Sequence, residues 1–395
     1  MYEVDSRLFY ACIVLIAIGM VFSLSLPAFT VLYYDYSSYH FFLRQFVVGF
    51  VGIFIMWKLS QIDPDKRCIG SLTTFEVIGF TLFFGSFLAM IVMQFLPTSL
   101  VPVTGGAKRW IRLGPISLSP VEFFKIGFVF FLAWSFTRKL DHNKKRLKDE
   151  FVLLFPYFII FAIAVFLIAI LQKDLGQVVV LALTLIVLAT FAGTSKRFFG
   201  LFGLAGVILV FFAIITQEHR IRRFQSWWVT NQDFVLSFLP ASMADILRVS
   251  GAEEPYQIGH SLNAIYHGGF FGVGLGNGTF KLGFLSEVHT DFVLAGIAEE
   301  LGFIGIFCIT LIMIYVIFRI LKISSRNKNR VYHLFGLGVG TIITMAFLIN
   351  SYGITSITPI KGIAVPFLSY GGSSILALCV GIGMVLMISK KADLS

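Results

Sequence analysis

The chain has 395 residues, 57% of them hydrophobic and 13% charged, and its mean hydropathy is +0.88. That is far more apolar than a soluble globular domain, which could not hide so much apolar surface from water. A net charge of +10 raises nucleic acid as a partner, but the placement of the charge decides more than its sum.

Apolar runs of span length predict about ten transmembrane helices, near residues 8–32, 41–59, 74–96, 119–137, 152–171, 177–193, 197–216, 290–321, 333–355 and 369–389. Lipid offers no partner to an unpaired backbone group, so each run must be helical. The expected fold class is an all-α polytopic membrane protein, forming a single transmembrane domain over 1–395. The first run is too long for a signal-peptide core and reads as a retained helix. The four cysteines, Cys12, Cys68, Cys308 and Cys379, suggest no disulfide or metal framework.

With both termini in the cytoplasm, the inner segments carry Arg7, Lys58, Lys66, Arg67, a cluster at 138–148, Lys196, Arg197, a second cluster at 319–330, and Lys390 and Lys391. This excess supports that orientation and turns most of the basic charge into topology signal, which removes nucleic acid as a partner. The remaining cations lie at membrane depth or gather in three outer connections, at 101–120, 217–290 and 356–368. Several stand near Trp110, Trp227 and Trp228, among them Arg109 and the cluster Arg220, Arg222 and Arg223. Two readings fit: a solvated surface, or a headgroup-level surface that binds anions.

The 217–290 connection, between the seventh and eighth spans, is too long for a turn, and loops of that size are usually functional. A short amphipathic stretch at 243–249 is expected to lie on the membrane surface. From His260 to Lys281, apolar residues mixed with close glycines predict broken or re-entrant helices lining a polar cavity. The glycine run at 272–278 lacks a preceding strand, so it reads as a set of tight turns rather than a nucleotide loop.

Charges inside spans are expensive, which singles out Glu122, Lys125, Glu299 and Glu300. Glu122 and Lys125 can pair at i and i+3; adjacent Glu299 and Glu300 point apart, so at most one readily joins Lys125. They form either a structural network or the polar floor of an outward cavity. Asp291 follows His289 and Thr290 where the long loop meets a helix, a place with water access and low-dielectric surroundings. It reads equally as a general base or as a helix cap. His260, His267 and His289 lack zinc-site spacing; a divalent cation such as Mg or Mn, held between Asp291 and a substrate pyrophosphate, is compatible with the sequence.

Six stretches, in order along nearly the whole chain, resemble the SEDS family of bacterial shape, elongation, division and sporulation proteins. They are 106–111 (GAKRWI), 119–125 (SPVEFFK), 172–177 (QKDLGQ), 289–292 (HTDF), 299–302 (EELG) and 366–374 (PFLSYGGSS). The resemblance implies a peptidoglycan glycosyltransferase that polymerises lipid II at the outer face of the bacterial cytoplasmic membrane. The runs at 264–276 and 366–374 are more similar to the family's division member than to its elongation member, which implies a septal role. By the same alignment Asp291 falls on the essential outer-loop aspartate. Arg109, Trp110, Gln257, Ser261, Lys281, Lys361 and Ser369 fall on substrate-binding positions, and Glu122, Lys125, Asp174, Gln177, Glu299 and Glu300 on a supporting polar network. Arg109, Lys281 and the 220–223 arginines are then expected to face the leaving pyrophosphate. The resemblance further implies a class B penicillin-binding transpeptidase (FtsI-like) and other division-complex membrane proteins as partners. The competing readings are a lipid II flippase, an elongation polymerase and a non-catalytic scaffold.

Overall fold

The computed structural model describes residues 3–104, 106–114, 116–139, 147–194, 200, 203, 218–249, 256–285, 287–360 and 362–394. Within them, eight helices are long and apolar enough to cross a membrane: Ser6–Ser25, His40–Gln61, Thr74–Val92, Pro120–Arg138, Val152–Leu171, Val293–Arg326, Arg330–Ile354 and Gly372–Ser389. A ninth apolar helix, Leu175–Phe191, is shorter and matches the expected span at 177–193. Apart from residues 200 and 203, the expected span at 197–216 lies outside the described residues, as does Lys361, and so do the side chains of Arg220, Arg222 and Arg223.

Helices start where side chains can satisfy their first N–H groups. Thr73 and Glu76 form a reciprocal capping box, Asp5 accepts from Leu8 N, and Asn329 accepts from Val331 N. Gly372–Ser389, Pro120–Arg138 and Arg330–Ile354 are mostly buried and form the centre, whereas His40–Gln61 and Thr74–Val92 leave most of their surface to lipid. Small residues let these helices approach closely. A Cβ on Gly127 would stand 2.4 Å from the backbone nitrogen of Phe83, inside the π-helical turn Thr81–Gly85, and one on Gly52 would meet Cys379 Sγ at 2.7 Å.

The connections add two features to the helical bundle. The 97–120 segment holds two antiparallel hairpins, Val103–Thr104 with Ala107–Lys108 and Ile111–Leu113 with Ile116–Leu118, and a third joins Arg67–Ile69 to Leu72–Thr73. The fold is therefore helical with small β ornaments. The first half of the long connection holds a 19-residue helix, Glu218–Leu236, followed by the seven-residue Ala241–Leu247. Gln232 clasps Val249 with two amide bonds, and Trp228 Nε1 donates to Leu247 O at 3.0 Å, folding the short helix back on the long one. Met243 and Ile246 remain exposed.

Candidate active site

Asp291 sits in a run of turns that feeds the Val293–Arg326 helix. That helix takes Phe292 as its N-cap, with no side-chain cap bond, so Asp291 stands one residue upstream of the capping position. Three successive carbonyls here are gripped from the far end of the chain. His289 O accepts from Tyr370 N at 2.9 Å, Thr290 O from Ser369 Oγ at 2.7 Å, and Asp291 O from Asn350 Nδ2 at 2.7 Å. The same amide of Asn350 donates to Ile363 O at 2.7 Å, and Ser369 Oγ accepts from Val365 N at 2.8 Å. Gly362, in the left-handed region at φ +61°, lies against the carboxylate: a Cβ there would stand 3.0 Å from Asp291 Oδ2.

The segment that follows Gly362 walls a cavity. Ile363, Ala364 and Pro366 line one side, and Glu122, Lys125 and Gln177 line another. Those three polar side chains form a closed triangle. Lys125 Nζ bonds Glu122 Oε2 at 2.9 Å and Gln177 Oε1 at 2.8 Å, while Gln177 Nε2 donates to Glu122 Oε1 at 3.0 Å. Gln177 is held in turn by its own N–H on Asp174 Oδ1, at the start of the Leu175–Phe191 helix. Arg109 reaches the turn before Asp174, donating through Nε to Gln172 O at 2.6 Å and through Nη2 to Lys173 O at 3.2 Å. Lys173 there takes a left-handed φ of 51°, so Arg109 braces a strained turn. Trp110 packs beside the guanidinium.

Glu299 and Glu300 form a different assembly from the one expected, and neither pairs with Lys125. Glu299 Oε1 accepts from Thr279 N at 2.7 Å, Thr279 Oγ1 at 3.0 Å and Phe280 N at 3.2 Å, and contacts His267 Nδ1 at 3.0 Å. Glu300 binds Lys281 Nζ at 2.6 Å and Ser25 Oγ at 2.8 Å. Their helix breaks immediately afterwards at Gly302, with φ 69° and ψ −168°. The peptides freed by the break pair with the glycine-rich segment: Glu299 O and Glu300 O accept from Val273 N and Gly274 N, and Phe303 N and Ile304 N donate to Gly269 O and Phe270 O. Gly269, Gly272, Gly274 and Gly276 all have positive φ, so the run does make the tight turns predicted for it.

Several expected ligand positions are committed to the protein itself. Lys281, expected near the leaving pyrophosphate, is 4% exposed and bonded to Glu300, Ser25 and Gly276 O. Ser261 Oγ, fully buried, donates to Ile354 O, and Ser369 is held in the Asp291 turn. Outside those positions, Trp227 Nε1 donates to Ser356 O, and Lys108 Nζ caps the carbonyls of Gln94 and Leu96. Gln257 is exposed near the start of the Tyr256–Gly268 helix. Among the described residues no group of three or more His, Cys, Asp or Glu could hold a metal ion. A divalent cation at Asp291 would therefore need substrate oxygens to complete its shell.

Asn350 and Gly362 lie outside every quoted motif, and Tyr370 is inside one, 366–374, without a role assigned to it. Asn350 had a usable signal, an amide within an apolar span, where an unpaired polar group is costly.

The cell cycle protein family model shared by FtsW, RodA and SpoVE matches residues 6–394. The chain belongs to this family. A relative from Helicobacter pylori (strain ATCC 700392 / 26695), named "Probable peptidoglycan glycosyltransferase FtsW", is 47% identical over 389 residues, covering 98% of each chain. One of the same name from Haemophilus influenzae (strain ATCC 51907 / DSM 11121 / KW20 / Rd) is 32% identical, covering 98% of this chain and 90% of its own. The fold is shared with the rod shape determining protein RodA of Thermus thermophilus, at a TM-score of 0.62, 19% identity and coverage of 99% and 98%. It is also shared with a chain from a structure titled "Structural coordination of polymerization and crosslinking by a peptidoglycan synthase complex", at 0.69, 20% and 98% of both.

Proposed function

We propose that the chain is a peptidoglycan glycosyltransferase that polymerises lipid II during septal wall synthesis, with Asp291 as its general base. The observation that carries the reading is the turn holding Asp291, whose backbone carbonyl is fixed by the same Asn350 amide that holds Ile363, a lining residue of the cavity that Glu122, Lys125 and Gln177 share. Full-length similarity to proteins named for this activity supports it.

Asp291 takes the proton from the acceptor sugar's 4-hydroxyl as that oxygen attacks the donor's anomeric carbon. The bond to the undecaprenyl pyrophosphate breaks, and its electrons leave with the phosphate oxygen. Arg109 spends two of the five N–H donors of a guanidinium on backbone carbonyls, so it keeps capacity for the departing anion. A bound divalent cation, Mg or Mn, would neutralise the same charge.

The chain lies in the bacterial cytoplasmic membrane with this site facing outward; the basic clusters at 138–148 and 319–330, on the inner side in this orientation, support that topology. A class B penicillin-binding transpeptidase of the FtsI kind is its partner, a reading supported by the shared fold with a chain of a synthase complex.

Purified protein with this partner and lipid II should make glycan strands, and Asp291→Ala should make none while remaining monodisperse. Near-normal polymer from Asp291→Ala would overturn the assignment of the base. Transfer of lipid II across vesicles without polymer would instead favour a transporter.

A further inference from the structure

Lys281 and Glu300 are nineteen positions apart, and their contact closes the chain into a loop with Asp291 near its midpoint. The side chains are 5% and 0% exposed, and the ion pair is 2.6 Å long. An ammonium has three protons. Those of Lys281 go to Glu300 Oε1, to Ser25 Oγ at 3.0 Å and to Gly276 O at 2.7 Å, so none remains for a phosphate. Ser25, at the end of the Ser6–Ser25 helix, donates its own hydroxyl hydrogen bond to Glu300. One cation thus joins three parts of the fold: the glycine-rich segment, the first helix and the broken helix.

The remainder of the loop leaves little slack. Glu299 fastens the backbone of Thr279 and Phe280 next to Lys281. Leu285 and Val288 are buried, and a Cβ on Gly296 would meet Val288 and Leu26 side chains, both at 2.7 Å. The far side of the Asp291 turn is gripped by Asn350, Ser369 and Tyr370.

We infer that Lys281, with Glu300 and Ser25, is a positioning residue: it closes the loop that carries Asp291 and does not contact the leaving pyrophosphate. This rests on the proposed polymerase reading. A buried pair that loses one partner strands a charge, whereas replacing both can restore a satisfied site. Lys281→Gln and Glu300→Gln should each lower the polymerisation kcat at least tenfold with the KM for lipid II within twofold. The double variant Lys281→Gln/Glu300→Gln, which has no cation but keeps an amide pair, should recover at least half of the wild-type kcat.

The inference is overturned if the double variant is no more active than Lys281→Gln while Glu300→Gln is near normal, the pattern of a cation acting on substrate. It is equally overturned if both single variants are fully active. A second measurement does not depend on activity. Spin labels at Leu275→Cys and at the natural exposed Cys308, with Cys68→Ser, report the distance from the glycine-rich segment to the helix beyond its break. The distribution should be narrow in wild type and the double variant and broad in either single variant; equal widths in all four overturn the proposal. If wild type makes no polymer, the polymerase reading fails while the label distances still decide the lock.

Discussion

The side-chain nitrogen of Asn350 donates to Asp291 O and to Ile363 O, both at 2.7 Å, so one amide in the Arg330–Ile354 helix ties the aspartate turn to the cavity wall. Asn350→Leu removes both bonds and strands two carbonyls, each worth about 1–3 kcal/mol when left unsatisfied. We expect polymerisation to fall about 10²-fold from a displacement of Asp291 on the order of 1 Å. Steady-state rates on lipid II, with detergent gel filtration to check folding, measure this; a change under threefold would remove Asn350 from the positioning shell.

Gly362 suits glycine because its φ is left-handed and Asp291 Oδ2 lies only 3.0 Å from where a Cβ would go. Gly362→Ala costs roughly 1–2 kcal/mol for the backbone alone, and its methyl pushes on the carboxylate. Activity should drop by at least tenfold while the unfolding temperature falls only slightly. Equal activity of the alanine variant would show that the carboxylate has room to move.

The Glu122, Lys125 and Gln177 triangle is a mutually satisfied set inside the bundle. Breaking it from one side with Lys125→Met should cost about 3–5 kcal/mol, the usual penalty for stranding a buried charge. Glu122→Gln combined with Lys125→Met should cost less than either single change. Thermal unfolding of all three variants in one detergent gives the comparison, and strict additivity would argue against the triangle.

His289 is buried, and that burial pushes its imidazole below the ordinary value, opposed by the nearby Glu287 carboxylate. The folded state therefore prefers the neutral ring. Stability from this residue is complete above about pH 6.5, the value in an unfolded chain, and is lost as pH falls through that value toward the lower folded one. His289→Gln should flatten the decline in unfolding temperature between about pH 7 and 5.5. An unchanged acid limb would assign the decline to other groups.

The membrane spans were legible because a run of apolar residues long enough to cross lipid has few alternatives; His40–Gln61 and Gly372–Ser389 follow their predicted runs closely. The Glu218–Leu236 helix was not, since charged and aromatic residues alternate through it and hydropathy reads it as loop. Strands of two or three residues, as in the Val103–Thr104 hairpin, are too short to have a periodicity. At the site, the expensive intramembrane charges were visible as residues but not as pairs. Which cation meets Glu300 depends on where a helix breaks and a distant loop docks, and neither is encoded locally. Lys281 illustrates this: the family resemblance implied a place beside the pyrophosphate, whereas its three protons are all taken by protein neighbours.

The break at Gly302 also fixes depth. The Val293–Arg326 helix has 34 residues, but the portion after the break runs about 36 Å at 1.5 Å per residue, enough by itself to traverse a hydrocarbon core of about 30 Å. The portion before the break need not enter the core. If the portion after the break spans the core, Glu299, Glu300 and the glycine-rich segment would stand level with the lipid headgroups, where a pyrophosphate is carried while its polyprenyl chain stays in the bilayer. The helix break would then work as a depth gauge, setting Glu299, Glu300 and the segment they hold at the height at which a membrane delivers such a donor.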